Sequence, residues 1–301
     1  MRILITGATG LVGTELTDLL LQNDISVHYL TISKEKEKYR PNVTGFFWNP
    51  EQGIIDENCL LGVDAIIHLA GSPISNRWTN AVKQEIIESR VLSSNTLYKA
   101  LKDNPNQVRQ IVSASAVGIY PNSHTTIYTE ETQSVDNSFL GNVVTKWEES
   151  VDKFKLLNIK VCKLRTGIVL APKGGALPEM VRPVKIGLGA AFGNGRQIQS
   201  WIHVQDLARL YFFAVQHSWE GVFNAASPDP ISNEALTKKI AKILKKPLWL
   251  PNIPEFVMKL LLGEMHVLLF TDLNVSPQKA IKNGFTFNFP NIDKALQDAL
   301  K

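Results

Sequence analysis

Three glycines at regular spacing near the N-terminus could hold a phosphate group. They lie in ITGATGLVG, residues 5–13, between a β-branched run and an apolar helical stretch. A tight glycine turn lets the backbone approach a pyrophosphate, and the free amides at a helix start favour its negative charge. We therefore predict a dinucleotide site, with a tight turn that binds no ligand as the alternative. The residues predicted to form it are Gly7, Thr9, Gly10, Leu11, Val12 and Gly13.

The end of the second predicted strand indicates which dinucleotide binds. In NAD sites an acidic residue usually lies there and binds the ribose 2′-hydroxyl. Here the strand ends in YLTISKEKEKYR, residues 29–40, with Thr31, Ser33 and Lys34 where the acid would be. Hydroxyl and ammonium groups suit a 2′-phosphate, so we predict NADP, with NAD as the alternative. The alternating charges of residues 34–38 are also typical of a solvated loop.

Such a site needs strands before its turns and helices after them, and both recur along the chain. Short runs rich in β-branched residues alternate with stretches of helical period. This alternation predicts an α/β fold, a Rossmann-type doubly wound parallel sheet. The predicted strands are residues 2–6, 25–31, 45–48, 64–70, 109–115 and 159–165, and the predicted helices are residues 11–23, 79–102, 139–157, 205–216 and 233–245.

A change in composition near residue 170 predicts two lobes. Residues 1–170 are predicted to form the NAD(P)-binding domain, completed by parts of 200–230. Residues 171–301, which are richer in Gly and Pro, are predicted to form a smaller substrate lobe. It includes the C-terminal helical segment 248–301, and no flexible linker separates it from the first domain.

Charge and hydropathy limit the partners. The net charge of +4 is spread without a basic block, which argues against nucleic acid. The apolar stretch 256–270 contains Lys259, Glu264 and His266 and is too short to cross a bilayer. We predict a core helix there, with a membrane-surface or dimer face as the alternative. No signal peptide is recognised, so we predict a cytoplasmic protein with a small-molecule ligand and no membrane partner.

Metal and disulfide chemistry are not expected. Cys59 and Cys162 are far apart in the chain, and two buried thiols in a reducing compartment account for them. The six histidines lack the spacing of metal ligands, so no metal site is predicted.

Several longer motifs carry a family resemblance. The Gly-x-x-Gly-x-x-Gly turn, HLAG at 68–71, SASAVGIY at 113–120 and WIHVQDLARL at 201–210 resemble the extended short-chain dehydrogenase/reductase superfamily. LAGSPISNRWTNAVKQEIIESRV, RTGIVLAPKGGAL and SPQKAIKNGFTFNFPNIDKAL are similar to its atypical subgroup of epimerase-family, NAD-dependent epimerase/dehydratase-like proteins. The resemblance covers essentially the whole chain. It implies further cofactor contacts at Leu69, Ala70, Gly71, Ser113, Ala114, Arg165, Gly167 and Ile168.

That superfamily performs its chemistry with a serine and a Tyr-x-x-x-Lys pair on one helix. The pair lies one turn apart, and the lysine cation lowers the pKa of the tyrosine so that the phenol exchanges a proton. Ser115 matches the serine. In NSFLGNVVTKWEESV, residues 137–151, Glu148 matches the acid after the lysine, which places Leu140 and Val144 at the tyrosine and lysine positions. We therefore expect the chain to lack a Tyr-x-x-x-Lys relay.

Other side chains are candidates to replace the missing relay. The subgroup has an arginine in place of an upstream asparagine, which Arg90 matches, and the pKa of His203 suits proton transfer. The catalytic candidates are Ser115, His203 and Arg90. Charge and stacking suggest a substrate site, whose candidates are Arg77, Trp78, Tyr120 and Trp201. Packing is the alternative for the histidine and the tryptophans, and a surface ion pair is the alternative for Arg90.

Three functions are compatible with these residues. The favoured one is an NADP(H)-binding oxidoreductase or epimerase-like protein with an atypical proton relay and a small polar substrate. The second is a dinucleotide-binding sensor or partner protein with little or no catalysis. The third, an ordinary nucleotide-sugar epimerase, is disfavoured by the missing tyrosine and lysine. A homodimer is left open.

Overall fold

The helices and strands of the chain are arranged around one large sheet. The computed structural model describes residues 1–36 and 39–301. The strands are β1 (Arg2–Thr6), β2 (Ser26–Thr31), β3 (Tyr39–Arg40), β4 (Val43–Asn49), β5 (Ile54–Ile55), β6 (Ala65–His68), β7 (Gln110–Ala116), β8 (Ile127–Tyr128), β9 (Lys160–Thr166), β10 (Ile168–Leu170), β11 (Ile198–Gln199), β12 (Trp201–His203), β13 (Gly221–Ala225), β14 (Ile231–Ser232) and β15 (Asn274–Val275).

Helices connect these strands. The α-helices are α1 (Leu11–Gln22), α2 (Asn80–Asp103), α3 (Phe139–Asp152), α4 (Ala176–Lys185), α5 (Val204–Gln216), α6 (Asn233–Ile243), α7 (Glu255–Leu262), α8 (Val267–Phe270), α9 (Gln278–Lys282) and α10 (Ile292–Ala299). Short 3₁₀ helices span Lys34–Lys36, Pro50–Gln52, Glu57–Leu60, Val117–Ile119, Lys153–Leu157 and Gly263–His266.

The main sheet reverses its strand order next to β1. Within the described residues it has nine strands, in the order β13-β9-β7-β6-β1-β2-β4-β3, with β5 paired to β4. All pairs along β13 to β4 are parallel, whereas β3 and β5 run antiparallel to β4. The chain moves from β1 to β2 and β4, and then returns to β6 on the other side of β1. Ligands of such sheets bind at the carboxyl edge beside this reversal. The predicted doubly wound fold is confirmed.

A layer of helices covers each face of the sheet. On one face, α1 and α5 pack together, and Leu16 and Tyr211 belong to a core shared with β1 and β9. On the other face, α2 and α3 pack together, and Leu97 and Trp147 belong to a second core. Strands enclosed in this way are apolar on both faces, which explains their nearly continuous hydrophobic runs.

The second lobe has a core of its own. Helices α4, α6 and α10 contribute Leu177, Ile240 and Leu296 to it. The last strand of the main sheet, β13, and its covering helix α5 come from the same half of the sequence as this lobe. The buried carboxylate of Asp206 on α5 accepts the amides of Asn288 and Phe289 at 2.8 Å each. These hydrogen bonds attach the C-terminal segment to the first lobe.

The stretch 256–270 differs from the predicted core helix. It is divided into α7, a 3₁₀ turn and α8, because Gly263 has a φ of +62° at the break. Phe256 and Leu260 on α7 are 73% and 81% exposed. Only the second half, represented by Met265, packs on the start of α2 and α3. The core-helix prediction was therefore wrong for α7. No helix of the described chain is both long and apolar enough to cross a membrane.

Candidate functional site

The glycine turn is packed so tightly that it excludes side chains. Gly7 has a φ of +71°, and a Cβ placed there would lie 3.1 Å from the carbonyl of Leu69. A Cβ on Gly13 would lie 2.2 Å from the Gly7 oxygen. Gly10 is the N-cap of α1 and offers no capping side chain, and no acidic residue lies in the first turn. The helix start therefore keeps amide donors and a positive dipole end for an anion.

The exposed part of the turn is its tip. Thr9 and Gly10 are exposed, whereas Leu11 and Val12 are half-buried. Leu69 and Ala70 follow β6 immediately, beside the turn, instead of lying within the predicted strand 64–70. The predicted pyrophosphate-binding residues thus lie together beside the strand reversal.

A buried hydrogen-bond network holds the two strand ends together. Thr6 Oγ1 accepts the amides of Leu69 and Ala70, both at 3.0 Å. Its proton is then directed to Nδ1 of His68 at 2.8 Å, and Nε2 of His68 lies 3.1 Å from Ser94 Oγ. Burial lowers the pKa of His68 to about 4, so the ring is neutral and accepts at Nδ1. Sequence reasoning missed Thr6 and His68, although His68 begins the HLAG motif.

The residues predicted to select NADP lie where β2 ends. The Ser33 amide donates to Thr31 Oγ1 at 3.2 Å, which bends the chain after the strand. Lys34 is exposed, with its ammonium 5.3 Å from the centre of the Phe47 ring. Ile32, which lies between Thr31 and Ser33, is also exposed. It offers an apolar surface that was not among the predicted site residues. Residues 37–38, included in the alternative of a solvated charged loop, lie outside the described residues.

The helix that should carry the proton relay is apolar at both expected positions. Val144 is buried in a cluster with Ile119 and Tyr120, and Leu140 lies 3.5 Å from the position of a Cβ on Gly118. Lys146, the one lysine of α3, is exposed. Neither Leu140 nor Val144 can exchange a proton.

A Tyr-x-x-x-Lys spacing does occur elsewhere, which corrects the expectation that the chain lacks one. It is formed by Tyr98 and Lys102, near the end of α2. Because α2 starts after the carboxyl end of β6 and leads into the beginning of β7, its end lies at the opposite edge of the sheet. Tyr98 packs against Phe154, with ring centres 6.0 Å apart. This pair cannot act at the glycine turn.

Ser115 belongs to a buried network of charged groups. Its Oγ donates to Glu148 Oε1 at 2.6 Å. Arg165 holds the same carboxylate with two hydrogen bonds, from Nε at 2.8 Å and Nη2 at 3.0 Å, and Lys163 lies 3.3 Å away. Burial alone would raise the pKa of Glu148, but the hydrogen bonds and charges of Arg165 and Lys163 lower it below its usual range. Glu148 is therefore a carboxylate that accepts the proton of Ser115 in a hydrogen bond.

Tyr120 closes the other side of this network. Its hydroxyl donates to Asn224 at 2.9 Å and accepts from Arg165 Nη1 at 3.0 Å. Burial raises the pKa of Tyr120. Because the tyrosine is buried and both hydrogen-bonding roles are taken, this structure leaves it no free group for the predicted substrate contact.

The remaining predicted cofactor residues lie along the edge of β7 and β9. Ser113 is buried, and its hydroxyl donates to the Ala114 carbonyl at 3.0 Å. Gly167 lies so close to Ser200 that a Cβ would be 2.5 Å from the Ser200 oxygen. The Ile168 amide donates to that same oxygen at 2.8 Å. The guanidinium of Arg165 is bound in the network around Glu148. A contact between Arg165 and a cofactor would therefore have to use atoms of Arg165 that this network leaves free.

Arg90 is a cation without a carboxylate partner in the described chain. Its Nη1 donates to the carbonyls of Ser72 and Ile86, at 3.1 and 2.8 Å, and its guanidinium lies 4.9 Å from the Trp147 ring centre. Its Nε is buried and has no hydrogen-bond partner there. Burial lowers the pKa of Arg90 to about 10, which still leaves it charged at neutral pH. A Cβ on Gly71 would touch Arg90 Cζ at 3.1 Å, so this charge borders the end of β6.

Arg77 and Trp78 differ in exposure. Arg77 is exposed, and its Nε is 3.8 Å from the position of a Cβ on Gly263. Trp78 is buried, donates to the Ile74 carbonyl at 3.0 Å and packs edge-on against Phe139. Arg77 is available to an anion, whereas Trp78 serves packing here.

Trp201 and His203 lie in the contact between the lobes. Trp201 donates to the Asp229 carbonyl at 2.6 Å, and His203 accepts the Gln205 amide at 3.3 Å and stacks on Phe289, 3.8 Å between ring centres. Their exposed fractions are 1% and 0%, and burial lowers the pKa of His203. Their burial matches the packing alternative, and a substrate contact at either residue would require the lobes to separate.

Two family models match different parts of the chain. Residues 3–226 match the NAD dependent epimerase/dehydratase family, and residues 253–299 match DUF1731, a domain of unknown function. The epimerase family protein YfhF of Bacillus subtilis (strain 168) is 34% identical over 100% of this chain and 98% of its own length. The epimerase family protein SDR39U1 homolog, chloroplastic, of Arabidopsis thaliana is 34% identical over 99% of this chain and 86% of its own.

Solved structures resemble the chain over its full length. The human epimerase family protein SDR39U1 (isoform 2), solved with NADPH, has a TM-score of 0.85 and 28% identity, covering 99% of both chains. A nucleoside-diphosphate sugar epimerase from Corynebacterium glutamicum has a TM-score of 0.79 and 28% identity, covering all of this chain and 58% of that one.

Proposed function

This chain belongs to the NAD dependent epimerase/dehydratase family, and from that premise we propose that it binds NADP(H) and acts as an atypical oxidoreductase or epimerase-like protein on a small polar substrate. The observation that carries the proposal is the glycine turn beside the strand reversal. A Cβ at Gly13 would overlap the Gly7 carbonyl, so the turn depends on glycine for its shape. The NADPH in the structure of the human relative supports the same cofactor. The cytoplasmic location and the homodimer stay predictions.

The residues present suit each part of the dinucleotide. The turn and the start of α1 would hold the pyrophosphate, because their amides have no capping side chain. Ser33 and Lys34 would hold a 2′-phosphate, and exposed Ile32 would lie under the adenine. When bound, NADP(H) supplies hydride exchange at its nicotinamide ring.

The chain's own residues restrict how a substrate oxygen is held. Because Ser115 donates its proton to Glu148, it can only accept a hydrogen bond from a substrate hydroxyl. Arg90 would supply a positive charge beside the end of β6. No proton donor stands at Leu140 or Val144, and a positioned acid or base typically contributes about 10²–10⁴-fold to a rate. We therefore expect slow turnover, or a reaction whose proton comes from the substrate or water.

Titration with NADPH and NADH, followed by nicotinamide fluorescence, tests the cofactor proposal. We expect tighter binding of NADPH, and Lys34→Ala should weaken it about tenfold, the loss of one charged contact, while NADH binding is unchanged. Lys99→Ala, an exposed lysine on α2, is the matched control and should leave both affinities as they are. Equal affinity for the two dinucleotides would contradict the roles of Ser33 and Lys34.

The apolar pair on α3, half-buried Leu140 and buried Val144, favours a second candidate function, a dinucleotide sensor without turnover. Single-turnover mixing of NADPH-loaded protein with a panel of aldehydes and ketones separates the two. Oxidation of bound NADPH that is lost in Ser115→Ala would support an enzyme. Tight NADPH binding with no oxidation, together with a ligand-dependent change in size or shape by small-angle scattering, would support a sensor.

A further inference from the structure

Several large apolar side chains of the second lobe are exposed to solvent instead of packing in its core. Trp249 is 66% exposed, and Phe256 and Leu260 on α7 are exposed by 73% and 81%. Exposed apolar residues that occur singly are ordinary, whereas a contiguous group marks an interaction surface. The group, here called the apolar patch, comprises Ile186, Leu188, Trp249, Phe256, Leu260 and Leu261.

Backbone contacts place the parts of this patch side by side. Phe192 forms a parallel bridge with Ile253, and the Ile253 amide donates to the Ala191 carbonyl at 2.8 Å. A Cβ on Gly189 would lie 2.8 Å from Leu248, so the segment that carries Leu188 lies beside the one that carries Trp249. Helix α7, which carries Phe256, Leu260 and Leu261, begins two residues after Ile253.

Positive charges outnumber unpaired negative charges around the apolar patch. Of the acids nearest along the chain, Glu179 and Glu264 are ion-paired with Arg182 and Lys83, whereas Glu255 contacts only the ring of His266. In contrast, four exposed lysines have no ion-pair partner among the described residues. They are Lys185, Lys245, Lys246 and Lys259.

We propose that the apolar patch docks on an anionic lipid surface, with α7 lying in the plane of the interface. Aromatic and aliphatic side chains that stand clear of their neighbours enter the headgroup region, and flanking lysines bind lipid phosphates while their stems stay in apolar contact. The chain has no membrane-spanning helix in its described part, so this binding is peripheral and reversible. This proposal differs from the prediction of no membrane partner, because that prediction assumed that the stretch 256–270 is buried.

A second copy of the chain fits the patch less well. A symmetric dimer places the same surface on both subunits, so two surfaces with an excess of lysines would meet. An acidic protein would satisfy the charges. However, Phe256 and Leu260 project from a helix instead of lining a groove, which suits insertion between lipids better than a flat protein contact.

Trp249 provides an intrinsic probe of the patch. The chain has six tryptophans, and the other five, Trp48, Trp78, Trp147, Trp201 and Trp219, are buried. The full-length protein is mixed with vesicles of phosphatidylglycerol and phosphatidylcholine, or of phosphatidylcholine alone, at low and high salt. We expect co-sedimentation, a blue shift of the emission and quenching by brominated acyl chains with the anionic vesicles. Trp249→Phe should abolish the optical signal but not the sedimentation of the protein.

Variants separate the apolar from the electrostatic contribution. The double variant Phe256→Ala/Leu260→Ala should lower vesicle partitioning about tenfold or more, because several buried methylene equivalents are lost. Lys245→Glu/Lys246→Glu should lower it about tenfold and remove its salt dependence. Leu156→Ala, an equally exposed leucine after α3, is the matched control and should stay within twofold of the parent. These substitutions are on the surface, so unchanged thermal unfolding checks that they fold.

Five results would overturn the proposal. Four of them are no binding to anionic vesicles at low salt, equal binding to neutral vesicles, unchanged binding of the double apolar variant, and self-association without lipid that Leu260→Asp abolishes. The self-association would assign the patch to a second copy. If polyglutamate shifts the Trp249 emission as strongly as anionic vesicles do, the partner is an acidic protein instead.

Discussion

Two regions at the same edge of the sheet differ in how far they leave room for a ligand. Around β1, β6 and α1, glycines keep the backbone bare, and the start of α1 has no capping side chain. Around α3, Leu140 and Val144 fill the space of a proton relay, and Ser115 is bound to a salt-bridged carboxylate. The first region is suited to a ligand, whereas the second is satisfied internally.

The difference indicates that the glycine turn and the position of a proton relay are structurally independent. The turn depends on backbone shape and on the network from Thr6 to His68, which none of the α3 residues joins. The α3 region can therefore lack an acid and a base without disturbing the glycine turn and the ends of β1 and β6, here called the cofactor edge. Variants in each region should then affect different measured quantities.

The largest effect on stability is expected in the α3 region. Arg165→Met leaves Glu148 buried with Lys163 as its remaining close cation. Removing one partner of a buried ion pair costs up to about 3–5 kcal/mol, and Lys163, 3.3 Å from the carboxylate, offsets part of that cost. Urea unfolding at pH 7 measures this loss. The double variant Glu148→Gln/Arg165→Met should regain part of it, since no charge is left unpaired.

The same ion pair has a defined pH dependence. The pKa of Glu148 is lowered in the folded state, so its contribution is present above the unfolded pKa near 4.5 and is lost as pH falls through the lower folded value. In the Glu148→Gln variant this part of the acid dependence should vanish. An unaltered acid transition would mean that other carboxylates control it.

The cofactor edge should respond next most strongly, and mainly in binding. Gly13→Ala forces a Cβ against the Gly7 carbonyl and the Ala8 backbone, where no flexible group can move aside. We expect about 3 kcal/mol of overpacking, seen as a loss of about a hundredfold in NADPH affinity or as reduced stability. Gly118→Ala in the α3 region is the control, since its Cβ would make only ordinary contact with Leu140. Similar losses in both variants would break the proposed separation.

His68 makes the cofactor edge sensitive to mild acid. Its pKa is about 4 in the folded chain and about 6.5 when exposed, so the unfolded state binds the extra proton between these values. Stability therefore rises with pH across this window, and about 2 kcal/mol should be lost between pH 7 and pH 5. Urea midpoints of the parent and of His68→Gln measure it. The variant should be less stable at pH 7 but show a smaller change towards pH 5.

Sequence patterns were sufficient for the features that depend on local spacing. The glycine turn, the alternation of strands and helices, and the apolar positions Leu140 and Val144 follow from residues within one or two turns of each other. The fold follows because such βα units allow few arrangements. The helix predicted to end at residue 157 ends at Asp152, and a 3₁₀ turn follows it. This is a small shift of the boundary.

The features that sequence analysis missed are set by contacts distant in the chain. Trp201 and His203 are residue types suited to stacking and to proton transfer. Their burial depends on contacts with Asp229 and Phe289, which are distant in the chain. Thr6 and His68 are 62 residues apart. The exposure of α7 could not be read from its hydrophobicity, because an apolar helix on a surface has the same composition as one in a core.

The smallest expected change separates the two candidate functions most directly. Ser115→Ala removes one hydrogen bond to Glu148, which Arg165 and Lys163 still neutralise, so stability should fall by only about 1 kcal/mol. NADPH affinity should stay within twofold, because the serine hydroxyl is committed to the α3 network. Any turnover, in contrast, should drop by 10-fold or more, roughly, since the acceptor for a substrate hydroxyl is gone. If NADPH affinity falls together with turnover, the two regions are coupled, and Ser115 belongs to the cofactor site instead of to a separate substrate site.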